Sequence, residues 1–303
     1  MSNLGYDALT ARLKKEKPRT LAVVAAHEKN VLQAVWQAAR EKLAEPWLLG
    51  DRARMERLAV EQDIDLSALN IDHFEDDHKA ALAAMERVRS GEVGVLMKGK
   101  ISTPDLMRVG LKNGLRRPGR LLTHIVAYEH PRLSRMFLLT DSGVVTFPSL
   151  EQRVEIVRNG VEAMRALGVE KPRVAALSST EKPDDNIPSS QDAAKLAEMN
   201  RAGGPLADCG IVDGPMDLLS AVDGQTARIK GLEGPVAGKA DILHCPDVVS
   251  GNLMGKAIAF FSQKVRLGGC VVGGRVPVIM LSRASPADNK YCSLVLGLAC
   301  SAV

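Results

Sequence analysis

Short apolar runs and amphipathic stretches alternate along most of the chain, and this alternation predicts its elements. Leu21-Ala-Val-Val-Ala-Ala is a continuous apolar run of strand length, as expected of a strand covered on both faces. Behind it, Leu32, Val35, Trp36, Ala39 and Leu43 recur at helical spacing. Pro46 to Gly50 predicts a second strand, 51–62 a helix, Asn70 to Phe74 a third strand, 77–90 a charged amphipathic helix and Val93 to Met97 a fourth strand. Ser102-Thr-Pro-Asp then opens a helix, with a hydroxyl for the cap and Pro104 at an early helical position.

Leu121 to Tyr128 and Arg135 to Thr140 read as further strands, and Pro148 marks a break. Leu150, Val154, Val157, Val161 and Met164 keep helical spacing up to Gly168, a C-terminal stop. The pattern then restarts, with strands at 173–177, 209–213, 241–245, 270–272 and 277–281 and helices at 191–202, 251–263 and 287–300. Strand and helix alternating throughout predicts an α/β protein with doubly wound, mostly parallel sheets. At 303 residues the chain exceeds the usual size of one core, so two lobes are expected. The restart sets the boundary: 1–143 plus 271–303 form the first lobe and 144–270 the second.

Aromatic residues make up only 3%, so the core is built from Ala, Leu, Val and Met, and stacking platforms for single-stranded nucleic acid are not expected. The net charge of +4 is mild and the basic residues are interleaved with acids, so no nucleic-acid partner is called for. The local exception, Lys112 with Arg116-Arg117-Pro-Gly-Arg120, reads as a solvated loop or an anion-binding loop. Five cysteines (Cys209, Cys245, Cys270, Cys292 and Cys300) lie in apolar contexts without a Cys-x-x-Cys spacing, which points to small buried hydrophobes in a reducing, cytoplasmic compartment. The first residues lack a basic segment followed by an apolar one, and no apolar run reaches membrane-spanning length, so neither a secretory signal nor a membrane partner is expected.

Clusters of Gly, Pro, Asp and Ser end several strand-like runs: Ile211-Val-Asp-Gly-Pro, Pro246-Asp-Val-Val-Ser-Gly-Asn and Leu281-Ser-Arg-Ala-Ser. In parallel α/β sheets ligands bind where strands end. Lys98-Gly99-Lys100-Ile-Ser102-Thr103 joins a strand to a helix and suits an anion, with two ammonium groups, two hydroxyls and free amides; the structural alternative is a helix cap with solvated lysines. Gly94 to Lys100 fits G-x-x-x-x-G-K, but its middle positions belong to a strand and Ile101 replaces the required hydroxyl, so a nucleotide P-loop is rejected. Gly251-Asn252 reads as a helix N-terminus capped by Asn252, or as a second anion contact with Lys256 on the first turn. Ser282-Arg283 follows an apolar run; Arg283 is either a bidentate grip on a phosphate or acyl oxygen or a surface arginine. His124, inside an apolar run, is either a satisfied strand histidine or a catalyst. Asp141, Asp213 and Asp223 read as turn formers without metal spacing, and no metal site is assigned.

Taken in order, these blocks resemble the phosphate acetyltransferase and phosphate butyryltransferase family, closer to the butyryl branch. The blocks are Leu96-Met-Lys-Gly-Lys-Ile-Ser-Thr, Leu122-Thr-His-Ile-Val-Ala, Leu167-Gly-Val-Glu-Lys-Pro-Arg-Val-Ala, Ile211-Val-Asp-Gly-Pro, Gly234-Pro-Val-Ala-Gly-Lys-Ala-Asp-Ile-Leu, Gly251-Asn252 with Lys256, and Ser282-Arg283-Ala284. The resemblance implies two α/β lobes with an active site in the cleft, an architecture shared with isocitrate and isopropylmalate dehydrogenases, and a homodimer. It implies the interconversion of acyl-CoA and phosphate with acyl phosphate and CoA, with coenzyme A as substrate and no tightly bound cofactor. In the acetyl branch a Ser-Arg pair at the position of Ser282 and Arg283 lies at the reacting centre, with an aspartate seven residues after the serine. Here that position is Asn289, with Asp288 beside it, and the chain carries Ser285, Val249 and Gly255 where the butyryl branch tends to have acids or a tyrosine.

On this resemblance Arg283 stabilises the tetrahedral oxyanion, Ser282 bonds the leaving phosphate or the attacking sulfur, and Lys98, Gly99, Lys100, Ser102 and Thr103, with Gly251, Asn252 and Lys256, hold substrate. His124 or Asp288 takes the thiol proton. The rival readings are a metal- and NAD(P)-dependent dehydrogenase of the same architecture and a non-catalytic protein that binds CoA or an acyl phosphate.

Overall fold

The structure, a computed structural model, describes residues 4–67, 69–133, 135–280 and 285–301. The chain divides into two compact units, residues 5–120 with 266–303 and residues 1–4 with 121–265. The first runs α1 (Tyr6–Leu13), β1 (Arg19–Val24), α2 (Lys29–Arg40), β2 (Ala44–Gly50), α3 (Arg52–Glu61), β3 (Asn70–His73), α4 (Asp77–Ser90), β4 (Val95–Lys98) and α5 (Thr103–Lys112). The chain then builds the other unit from β5 (Thr123–Glu129), β6 (Met136–Thr140), α6 (Leu150–Ala166), β7 (Arg173–Leu177), α7 (Pro188–Arg201), β8 (Ile211–Met216), α8 (Leu218–Val222), α9 (Gly224–Ile229), β9 (Ile242–His244) and α10 (Val248–Phe261). It returns to the first unit with β10 (Arg266–Val272), β11 (Val278–Ile279) and α11 (Ala287–Cys300).

In the first unit the strands lie in the order β3-β2-β1-β4-β11-β10, parallel up to β11 and antiparallel between β11 and β10. Leu21 to Val24 and all of β4 are buried, which is why their sequences are continuous apolar runs and not alternating ones. α11 is buried from Lys290 to Ala299, so the last helix of the chain completes this core. In the other unit the order is β5-β6-β9-β7-β8, with β5 and β6 antiparallel and the rest parallel. A Ser149–Gln152 capping box starts α6, and a two-pronged Arg173–Asp241 pair at 2.8 and 2.7 Å ties β7 to the residue before β9.

The doubly wound, mostly parallel pattern expected from the sequence is present in each unit. The division falls at 120/121 and 265/266, where the restart of the pattern suggested 143/144 and 270/271. The reason is pairing: β5 bonds β6 from Ile125–Thr140 to Glu129–Met136, and β6 bonds β9, so the hairpin belongs with the later strands. The short helices α1, α8 and α9 were not anticipated; the last two begin at the caps Asp217 and Asp223 and are too brief to show a period. Cys209, Cys245, Cys270 and Cys292 are buried thiols, as their apolar contexts indicated, while Cys300 is half-buried. Arg116 and Arg117 spend their Nε–H groups on the carbonyls of Arg120 and Gly274, each at 2.7 Å, so the basic loop is partly a structural strap.

His244 ends β9 and is 2% exposed. Burial, reinforced by the Arg153 guanidinium, pushes its pKa down to about 3. The unfolded chain therefore binds a proton below pH 6.5 that the folded chain refuses, and stability is lost as pH falls from 6.5 toward 3. Between pH 7 and 5.5 this histidine alone removes about 1 kcal/mol. Urea titrations at the two pH values should show a loss smaller by that amount in His244→Gln; identical losses would remove His244 from the pH dependence.

Candidate active site

Where β6 ends, the chain turns through Asp141-Ser142-Gly143, and this turn organises a cluster. Asp141 is 2% exposed. Its Oδ1 accepts the amides of Gly143 at 2.7 Å and Val144 at 2.9 Å. Its Oδ2 accepts those of Val145 and His124, both at 3.2 Å. One carboxylate thus fixes the turn to itself and to the start of β5 through charge-assisted bonds. This bears out the turn-forming reading of Asp141 and gives it a second task, holding the backbone of His124.

Ser142, also buried, places its Oγ 2.9 Å from Nδ1 of His124. Its carbonyl accepts a 3.1 Å bond from Nδ2 of Asn252 on α10. Two glycines allow the approach. A Cβ on Gly251 would stand 2.5 Å from the Asp141 carbonyl oxygen, and one on Gly143 would stand 3.0 Å from His124 Nδ1. The result is a half-buried imidazole whose Nδ1 lies at the Ser142 hydroxyl and whose backbone is pinned.

The sequence placed His124, Gly251 and Asn252 among the site residues, and the structure brings these three together. It corrects how the last two work. α10 begins at Val248 with Asp247 as cap, accepting from the Ser250 amide at 2.8 Å, so Asn252 does not cap the helix. The Gly251 amide is spent on the Asp247 carbonyl at 3.1 Å and is not a donor for an anion. Lys256 lies well inside α10 and is exposed, not on its first turn. Asp141 and Ser142 were missed as site residues; the signal for them was the acid-hydroxyl-glycine triplet directly after a strand buried along its whole length.

The β4–α5 connection in the other unit has the strand-to-helix form the sequence predicted. Lys98 is 7% exposed and its ammonium donates to the carbonyls of Gly99 at 3.0 Å and Ile101 at 3.1 Å. The amides of Gly99 and Lys100 bond the carbonyls of Val24 and Ala25, both at 2.8 Å. Ser102 is the cap of α5: its Oγ accepts the Asp105 amide and donates to the Asp105 carboxylate. That hydrogen bond first, and Arg108 second, hold the Asp105 carboxyl below the usual range, so a negative charge already occupies the first turn. Lys100 and Thr103 are exposed there. The capping reading therefore holds for Ser102, and the buried Lys98 braces the loop.

Asp288 sits on the first turn of α11, facing a groove with Asp7, Lys14, Glu41, Arg266, Tyr291 and Cys292. Lys290, on another side of the helix, is 5% exposed, bonds Glu28 and lines a small void of about 10 Å³ with Lys98. The structure does not bring Asp288 to Lys98. Ser282 and Arg283 lie outside the described residues.

Comparison with solved structures gives the class first. The fold is that of a phosphotransacylase: a branched-chain phosphotransacylase from Enterococcus faecalis matches with a TM-score of 0.81 and 28% identity, covering 94% of this chain and 99% of the other. The sequence profile described as Phosphate acetyl/butaryl transferase matches residues 74–297. A phosphate butyryltransferase from Clostridium beijerinckii is 36% identical over 96% of both chains. A phosphate acetyltransferase from Thermotoga maritima is 36% identical over 94% of this chain and 96% of its own length. The chain belongs to this family, and it is an acyltransferase. Membership sets aside the dehydrogenase reading.

Because the Asp141 carbonyl occupies the space a side chain at 251 would need, Gly251→Ala must push α10 from the turn. We expect it to lower stability by about 1–3 kcal/mol and to reduce turnover more than tenfold. Denaturant unfolding and a turnover assay check both; a variant with wild-type turnover would show that the turn tolerates displacement.

Proposed function

We propose that the protein interconverts a short-chain acyl-CoA and phosphate with the acyl phosphate and free CoA, using CoA as a substrate and no tightly bound cofactor. The observation that carries this is similarity along nearly the whole chain to relatives named for that transfer. Relatives named for acetyl and for butyryl transfer are equally identical, so both acyl chains belong in the assay.

In this reading the CoA thiol, only slightly ionised at neutral pH, gives up its proton as sulfur attacks the acyl-phosphate carbonyl. Arg283 stabilises the tetrahedral oxyanion, and Ser282 bonds the leaving phosphate or the attacking sulfur. Lys100 and Thr103 meet phosphate oxygens at the α5 N-terminus, and holding both substrates together supplies much of the rate. Four buried thiols and a fifth half-buried one suit a reducing, cytoplasmic setting. An exposed apolar face on α10, with Leu253 at 64%, Phe260 at 83% and Phe261 at 80%, supports a homodimer.

Phosphate-dependent release of free CoA should be measured with acetyl-, propionyl- and butyryl-CoA. Turnover with at least one is expected, and Arg283→Ala should lower it at least a hundredfold with the fold intact. No release from any of the three would sink the assignment, and near-normal turnover in the variant would remove Arg283 from the mechanism. In solution the mass should be near twice 32.5 kDa, and a monomer would overturn the dimer.

A further inference from the structure

We infer that the strap carrying Arg116, Arg117 and Arg275 is a binding site for the phosphates of CoA, the 3′-phosphate together with the diphosphate of the same nucleotide, an inference that rests on the acyl-transfer reading above. The three arginines belong to one unit, 5–120 with 266–303. They come from two segments, the loop after α5 and the turn between β10 and β11. The segments pair at an antiparallel bridge between Arg116 and Gly274, and the Arg275 amide bonds the Leu115 carbonyl at 2.8 Å. Gly114 and Gly273, at φ of 83° and 85°, take left-handed conformations beside the bridge.

Each guanidinium is held through its Nε–H. Arg116 donates to the carbonyl of Arg120, Arg117 to that of Gly274 and Arg275 to that of Gly114, each at 2.7 Å. All three residues are exposed, and among the described residues no carboxylate pairs with any of them. The sequence explains this. No acid occurs between Asp105 and Glu129 or between Asp247 and Asp288, so neither segment brings a counter-charge. A solvated surface arginine samples many rotamers and loses that freedom when it binds. Here the fold has already ordered the side chains, and the planar forks stand ready for an anion.

Guanidinium forks match phosphate oxygens two at a time. A phosphate monoester carries about −1.5 to −2 charges at neutral pH, and CoA adds a diphosphate to it. An acyl phosphate brings a single phosphoryl group, fewer than three separate cations call for. Lys112, exposed on the last turn of α5, extends the positive surface.

The strap also lacks the groups that chemistry at the reacting carbon needs. Residues 112–120 and 273–277 contain no Ser, Thr, Cys, His or acid. Such a surface can hold an anion but cannot take or return a proton near neutral pH. That combination suits the end of CoA remote from its thiol, which is bound and not transformed.

The test compares CoA with dephospho-CoA, which keeps the thiol and the diphosphate and lacks the 3′-phosphate. KM for each is measured against acyl phosphate in the wild-type protein, in Arg116→Gln, Arg117→Gln and Arg275→Gln, and in the triple variant. The wild type should prefer CoA at least about tenfold. Each single substitution should raise KM for CoA severalfold, and in the triple variant the preference should fall to near unity. General damage to the strap would raise both KM values and leave their ratio, so an unchanged ratio overturns the proposal, as does equal use of the two thiols by the wild type. A rise in KM for acyl phosphate in place of CoA also overturns it, because the strap would then hold the reacting phosphate. If the wild type turns over neither thiol, the acyl-transfer reading fails, and calorimetric titration with CoA itself then decides the strap. Binding that is lost in the triple variant supports the site; binding that is retained there, or absent from the wild type, overturns it.

Discussion

The candidate site depends on one buried carboxylate. The turn after β6 directs the amides of residues 143 to 145 inward, and the first residues of β5 add that of His124. Buried amides need acceptors, and each one left unmet costs about 1–3 kcal/mol. Asp141 meets all four with its two oxygens. Burying a carboxylate costs several kcal/mol, which four charge-assisted bonds of about 1.5–3 kcal/mol each offset. The group is thus stable only with the turn in this shape, and the shape fixes where Ser142 points and how near α10 may come.

Much of this unit was legible in the sequence. The apolar run ending at Thr140 gave β6, the run around His124 gave β5, and the spacing from Leu150 gave α6. Pairing could not be read in the same way. Nothing in the residues before 143 says that β5 and β6 join β9, so the lobe boundary was set some twenty residues late. Helix starts were uncertain for a similar reason. Asp247 and Asn252 are both good caps by type, and only the backbone bonds of α10 show that Asp247 has the position while Asn252 is left to reach Ser142.

Charge was the least legible property. Lys98-Gly-Lys-Ile-Ser-Thr reads as an anion site because its groups have the right chemistry, yet the fold consumes several of them. The Lys98 ammonium satisfies two carbonyls, and the Ser102 hydroxyl and Asp105 serve the helix start. A sequence counts the charges a loop owns; only the hydrogen bonds show which remain for a ligand. Lys100 and Thr103, exposed at the same helix start, are the members of the motif with that freedom.

The same distinction bears on the absent family aspartate. Asp288 is one residue from Asn289, and along a sequence that looks like a small displacement. On a helix one residue is a rotation of about 100°. Asp288, Tyr291 and Cys292 accordingly face one groove, while Lys290 and Ser293 face the void beside Lys98. Moving an acid by one position on α11 therefore changes what it faces, and Asp288 does not replace a carboxylate at 289.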